Sequence, residues 1–135
     1  MGTNLGDVRP FIKKFEEIDE LRNIKGANWN LEIDALSGAY AAASSPPTLL
    51  FDSVNDCSNR YRVLTNIHNT QRQTTTSLEL DQESGGVELV DAYRNKLRTV
   101  KPVPPKKVSG GPIFGSIQTG DQMDLLRVPP VAYVL

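Results

Sequence analysis

One cysteine, Cys57, and one histidine, His68, are present in 135 residues. A single thiol excludes an internal disulfide and a cysteine-rich zinc site, and it suits a reducing compartment. With one imidazole, any Ser/His/Asp or Cys/His device must use His68. Charge of one sign is also lacking: 15 basic residues oppose 16 acidic ones, for a formal net charge of −1. No global field therefore points to nucleic acid, a membrane surface or a strongly charged substrate. No apolar run reaches the roughly eighteen residues of a membrane span. The N-terminal "MGTNLGDVRPF" has no apolar stretch of signal-peptide length, and Gly6 stands where a myristoylation signal carries Ser or Thr. The expectation is a soluble, cytoplasmic protein without a membrane span or a nucleic-acid partner. Aromatics are scarce at 7%, while hydrophobic residues reach 39%. That is low for a large core yet above the composition of a disordered chain, so one domain with a modest core and long connections is expected.

What is present is ordered by periodicity. Val8, Phe11, Ile12, Phe15, Ile18 and Leu21 recur at spacings of three and four, the apolar face of an amphipathic helix. Asp7 suits its N-cap, Pro10 falls in its first turn, and Lys13, Lys14, Glu16, Glu17 and Glu20 fill the solvated face. "ELRNIKG" reads as a short edge strand broken by Gly26. Asn30 is the expected cap of a second helix, with Glu32 and Asp34 at the positive end of its dipole. Leu31, Ala35, Leu36, Ala39 and Tyr40 form its apolar face, the small residues of "GAYAAA" invite another element to approach, and "SSPP" ends it. Thr48 to Val54 reads as a central strand and "RYRVLTNI" as its partner.

"NTQRQTTTSLEL" stands open between loop and a short helix capped by Asn69 or Thr70 and running to Leu80, since three threonines lower helix propensity. A further helix begins at Ser84 or Gly85, with Val87, Val90, Tyr93 and Leu97 on one face and Arg94, Lys96 and Arg98 in its closing turns. "KPVPPKKVSGGP" has the proline density of an extended connection. After it "IFGSI" offers a strand, "TGD" a turn and "DQMDLLRV" a helical turn. The expected class is α+β: about three helices on a small, mostly antiparallel sheet, helices two and three on one face. Residues 1–100 form the domain, and residues 101–135 an extended Pro/Gly-rich C-terminal arm.

No residue makes a convincing active site by its own chemistry. His68 in "NIHNT" has Asn66 and Asn69 nearby but no carboxylate to orient the ring, so a surface or half-buried polar residue is a better reading than a general base. Cys57 reads as a tolerated thiol before a nucleophile. Asp121 and Asp124 in "GDQMD" lack the ligand rhythm of an EF-hand, and turn or cap roles explain both. The glycines of "SGGPIFGSIQTGD" spell neither dinucleotide nor phosphate-loop fingerprints. Arg94, Lys96, Arg98, Lys101, Lys106 and Lys107 form the only basic cluster, which suits a phosphate or an acidic partner surface, or else solvated cations favoured by a helix dipole.

Taken in order, "DVRPFIKKFEEIDELRNIKG", "NLEIDALSGAYAAA", "PPTLLFDSV", "YRVLTNIHNTQRQTTTSLEL" and "PVPPKKVSGGPIFGSIQTGDQMDLLRVP" resemble the N-terminal domain of the UbiD-type decarboxylases, from about Asp7 to Pro129. The resemblance implies reversible decarboxylases of aromatic and α,β-unsaturated acids, among them the 4-hydroxy-3-polyprenylbenzoate enzyme of ubiquinone biosynthesis. It implies a prenylated flavin mononucleotide with a divalent manganese and a monovalent cation, and a Glu-Arg-Glu set that handles protons and charge. In the family these all lie downstream of the matched region, so no residue from Met1 to Leu135 is assigned a catalytic, cofactor-binding or metal role. The expectation is a non-catalytic domain, inactive alone, whose partner is a catalytic UbiD-like domain or chain and which joins an oligomer only in the complete enzyme. The alternatives are a small assembly subunit docking on a separate catalytic chain, and an unrelated hydrolase using His68 or Cys57. Where the family continues with Trp-His and Asp-Gly-Gly, this chain has "PVAYVL"; the ending reads as a boundary left by truncation, frameshift or gene splitting.

Overall fold

The computed structural model describes residues 8–57, 61–81, 83–111, 114–115 and 117–123. Its elements are α1 (Val8–Glu17), β1 (Leu21–Lys25), α2 (Glu32–Ala41), β2 (Thr48–Asp52), β3 (Val63–Thr65), α3 (Gln71–Ser77) and α4 (Gly86–Thr99), with a 3-10 turn at Gly120–Gln122. The Asp7 cap lies outside the described residues. The α+β class holds as expected. Among the described residues the α-helices number four, because "NTQRQTTTS" does form a helix: Thr70 and Gln73 make a reciprocal capping box that offsets the weak propensity of three threonines.

The sheet runs β1-β2-β3. β2 and β3 are antiparallel, Leu49 opposite Thr65 and Phe51 opposite Val63. β1 and β2 are parallel, from Leu21 opposite Thr48 to Lys25 opposite Asp52, so the sheet is mixed rather than mostly antiparallel. The reason is α2, which crosses over between β1 and β2; parallel neighbours need such a connection, whereas the turn after Asp52 returns β3 antiparallel. β2 is the buried centre. Leu49 and Phe51 pack with Ala27, Ile33 and Val54 in the core, with Ile24, Trp29, Leu36, Cys57 and Val63 at its margin. Alternation along the strand turns Leu50 to the opposite face.

α1 and α3 end alike. After α1, Asp19 takes φ 58°; its N–H donates to the Glu16 carbonyl at 3.2 Å and the Glu20 N–H donates to the Phe15 carbonyl at 2.9 Å. After α3, Glu79 takes φ 50°, with Glu79 N–H to Thr76 at 3.1 Å and Leu80 N–H to Thr75 at 2.8 Å. Both are Schellman ends built on a residue other than glycine. α1 buries Phe15, against which Phe11 stacks with ring centroids 4.1 Å apart.

Other expectations change. Asn30 does not cap α2: Leu31 does, at φ 69° and without a side-chain cap bond. The polar residues before it shape the turn instead, the Asn30 N–H donating to Asn28 Oδ1 at 2.8 Å and the Asn28 N–H to Glu32 Oε2 at 2.6 Å. No element closes on Gly38 of "GAYAAA", since a Cβ there would meet no atom within 4 Å. The apolar face of α4 is exposed instead of packed on the sheet: the helix contributes no buried residue, and Val87, Val90, Tyr93 and Leu97 are all exposed. Residues 100–111 hold no helix or strand, and all are exposed. In "IFGSI", Ile113 and Ser116 lie outside the described residues, and the Phe114 N–H closes a turn on the Gly111 carbonyl at 3.0 Å. Of "DQMDLLRV", Asp121 and Gln122 belong to the 3-10 turn and residues 124–128 lie outside the description. No helix among the described residues is long and apolar enough to cross a membrane.

Candidate functional site

Helical phase places Glu20 on the solvated face, but α1 stops at Glu17 and the left-handed turn at Asp19 redirects the chain. Glu20 therefore enters the interior, 8% exposed. Its carbonyl accepts the Thr48 N–H at 2.8 Å, at the point where β1 and β2 begin to pair. Its carboxylate accepts from Gln73 Nε2 at 3.2 Å and lies 3.8 Å from the Arg72 guanidinium. Gln73 is wholly buried. Its Nε2 also donates to the Pro46 carbonyl at 2.7 Å, while its Oε1 accepts the N–H groups of Asn69 at 2.8 Å and Thr70 at 3.1 Å. Two donors and two acceptor positions are thereby all used. The junction fastens the start of α3 to the start of β1 and the approach to β2.

Beside it opens a cleft of about 410 Å³, lined by Ile18, Asp19, Glu20, Arg22, Tyr40, Ala43, Ser45, Pro47 and Arg72. Arg22 Nη1 donates to Asp19 Oδ1 at 2.7 Å. That hydrogen bond, and after it the guanidinium's charge, holds the Asp19 carboxyl below its ordinary range, and the same pairing raises Arg22. Two carboxylates thus meet two guanidiniums. This set can recognise a polar or ionic group by exchanging ion pairs and hydrogen bonds, but its hydroxyls, on Tyr40 and Ser45, have no imidazole in the lining to activate them.

The residues singled out from sequence do not converge. Cys57 is half-buried against the core in the loop before β3, and His68 is exposed in the turn after β3. Neither side chain makes a hydrogen bond or ion pair with a carboxylate among the described residues. Asp121 is exposed in the 3-10 turn, and Asp124 lies outside the described residues. The basic cluster is divided. Arg94 lies 3.7 Å from Asp91 and Arg98 donates to Asn95 at 3.5 Å, while Lys96 donates to the Leu78 carbonyl and lies 3.8 Å from Glu79. Lys101, Lys106 and Lys107 are exposed along the segment after α4. Among the described residues no group of three or more His, Cys, Asp or Glu side chains is placed to hold a metal ion. Sequence reasoning missed Glu20 and Gln73; the available signal was the Thr70-x-x-Gln73 spacing of a capping box.

Compared with known families, residues 12–93 match the one described as the 3-octaprenyl-4-hydroxybenzoate carboxy-lyase N-terminal domain. Among solved structures, the vanillic acid decarboxylase of Sedimentibacter hydroxybenzoicus is similar in three forms. Its open form with one component truncated is 25% identical at a TM-score of 0.64, covering 73% of this chain and 21% of that one. Its open form is 27% identical at a TM-score of 0.60, with the same coverage. The closed form shares the fold at a TM-score of 0.68 and 24% identity, covering 80% of this chain and 22% of that one. The chain therefore spans about a fifth of the length of these chains. No curated protein matches it. With more than half of the sequence matched, and with the α+β fold shared by decarboxylase chains, the chain belongs to the family of 3-octaprenyl-4-hydroxybenzoate carboxy-lyase N-terminal domains, the UbiD type.

Proposed function

We propose that this chain is the non-catalytic N-terminal part of a UbiD-like carboxy-lyase acting on aromatic or α,β-unsaturated acids such as 4-hydroxy-3-polyprenylbenzoate, and that it is inactive alone. The family match over residues 12–93 carries this reading, and the likeness to vanillic acid decarboxylase at 25% and 27% identity supports it. The complete enzyme would hold prenylated flavin mononucleotide, manganese and a monovalent cation. The described residues do not fit these groups. They bring together no three metal-ligating side chains, and the cleft beside Glu20 has its acids already matched by Arg22 and Arg72. No step through flavin or metal is therefore assigned to them.

The work proposed for this chain is structural, namely to present a folded, recognisable surface to a catalytic domain, in the same polypeptide or in a second one. Either arrangement would cover the apolar face that α4 leaves exposed. Purified chain should show no flavin absorbance and release no carbon dioxide from vanillate or 4-hydroxybenzoate. A UbiD-type catalytic chain made without its own N-terminal domain should gain decarboxylase activity when this chain is added or fused in front of it. Decarboxylation by this chain alone, or a catalytic chain indifferent to it, would overturn the reading.

A further inference from the structure

We propose that the apolar stripe of α4, with the basic stretch that follows it, is the surface by which this chain docks on a UbiD-type catalytic domain, against an apolar patch rimmed by acidic residues. This rests on the functional reading above and adds to it the docking surface and the chemistry of the partner. The chain divides sharply by burial. Among the described residues every buried one falls between Phe15 and Thr76, and none from Ser77 to Met123 is buried. α4 turns Leu89, Ala92 and Lys96 partly inward, and Lys96 ties it to Leu78 and Glu79 at the end of α3. Flanking these, Val90, Tyr93 and Leu97 recur at spacings of three and four, 56%, 38% and 51% exposed, with Val87 at the margin, 77% exposed. Val100 and Val103 extend the exposed series past the helix. A helix of this length draws most of its stability from burying such a face, and a contiguous exposed apolar patch marks an interaction surface.

Charge states what kind of surface covers it. Fourteen of the sixteen acids precede Ala92, whereas residues 92–120 hold six bases and no acid. Beyond Asp91, which lies 3.7 Å from Arg94, the charges from the second half of α4 to Gly120 are all cationic, and Arg98, Lys101, Lys106 and Lys107 are exposed. Complementarity requires an apolar patch with carboxylates at its rim. In the similar decarboxylase chains about four-fifths of the length lies outside the region this chain matches, and that remainder is the sequence proposed to supply the patch. Because the charged rim is exposed, the association weakens with salt.

Hydrogen exchange on the full chain, with sedimentation of the same samples, tests this. Alone, the chain should sediment as a monomer, with amides of residues 86–99 exchanging at least about 100-fold faster than those of β2. A UbiD-type catalytic chain lacking its own N-terminal domain, its folding checked by circular dichroism, should slow that exchange at least about tenfold, less so in high salt. Val90→Asp with Leu97→Asp should abolish the protection. Replacing Lys101, Lys106 and Lys107 together by Glu should weaken binding at least about tenfold and flatten its salt dependence. Amides of α4 as protected as β2 in the monomer would overturn the proposal. So would a dimer lost on Val90→Asp with Leu97→Asp, which would make a second copy the occupant. A complex insensitive to those substitutions would remove this surface while leaving the functional reading intact; no complex at all with a folded catalytic chain would remove both.

Discussion

Gln73 shows how much one side chain can hold when it is buried without a charge. Its amide satisfies two backbone N–H groups at the start of α3, the Pro46 carbonyl and the Glu20 carboxylate, so three separate segments meet at four hydrogen bonds. Gln73→Leu keeps the volume and removes every one of them. The partners cannot all turn to water, and the substitution should cost about 3 kcal/mol, read as a lower urea midpoint by Trp29 fluorescence. An unchanged midpoint would show that packing, and not this network, fixes α3. Asp19 offers a test in pH. Its folded value is held below the ordinary 3.8 by the hydrogen bond and charge of Arg22, so the pair adds stability above 3.8 that is lost as pH falls through the depressed value. The pair is exposed and its contribution small. The stability difference between wild type and Asp19→Asn should therefore shrink as pH is lowered from neutrality through this range; a difference independent of pH would sever the link to Arg22.

At the scale of elements, what the sequence made legible was what local patterning decides. The apolar spacing from Phe11 to Ile18 sets α1, and the run "TLLFD" sets the central strand, since a strand buried on both faces has no polar alternation to offer. The readings that failed depend on events outside such windows. Helical phase puts Glu20 on the solvated face, but the helix ends three residues earlier, at Glu17. Asn30 was the natural cap by residue type, yet the chain puts Leu31 at the left-handed position and uses Asn28 and Glu32 to close the turn. The parallel pairing of β1 with β2 follows from where α2 carries the chain, which no strand propensity encodes. For α4, periodicity tells which residues share a face and says nothing of what covers it. The junction of Glu20 with Gln73 joins residues 53 positions apart, so only its capping-box half was visible in sequence.

For the whole molecule, these observations describe a chain whose stability and whose proposed function reside in different halves. The core is small, gathered around Leu49, Phe51 and Ile33 between three short strands and α2, and a domain of this kind has only about 5 to 15 kcal/mol in hand. Phe51→Ala removes a wholly buried ring from its centre and should cost about 3 to 5 kcal/mol, enough to leave much of the chain unfolded at modest urea. Val90→Asp with Leu97→Asp places two charges where the isolated chain already meets water, and should move the same transition by no more than about 0.5 kcal/mol. Urea unfolding followed by Trp29 fluorescence, which reports on the margin of this core, compares the two directly. Equal losses would mean that α4 packs on the body and that its stripe belongs to this domain's own stability. A large loss for Phe51→Ala beside a negligible one for the α4 pair would mean that selection for folding alone cannot account for a stripe of Val, Tyr and Leu on that helix, and that its apolar character answers to a surface beyond this domain.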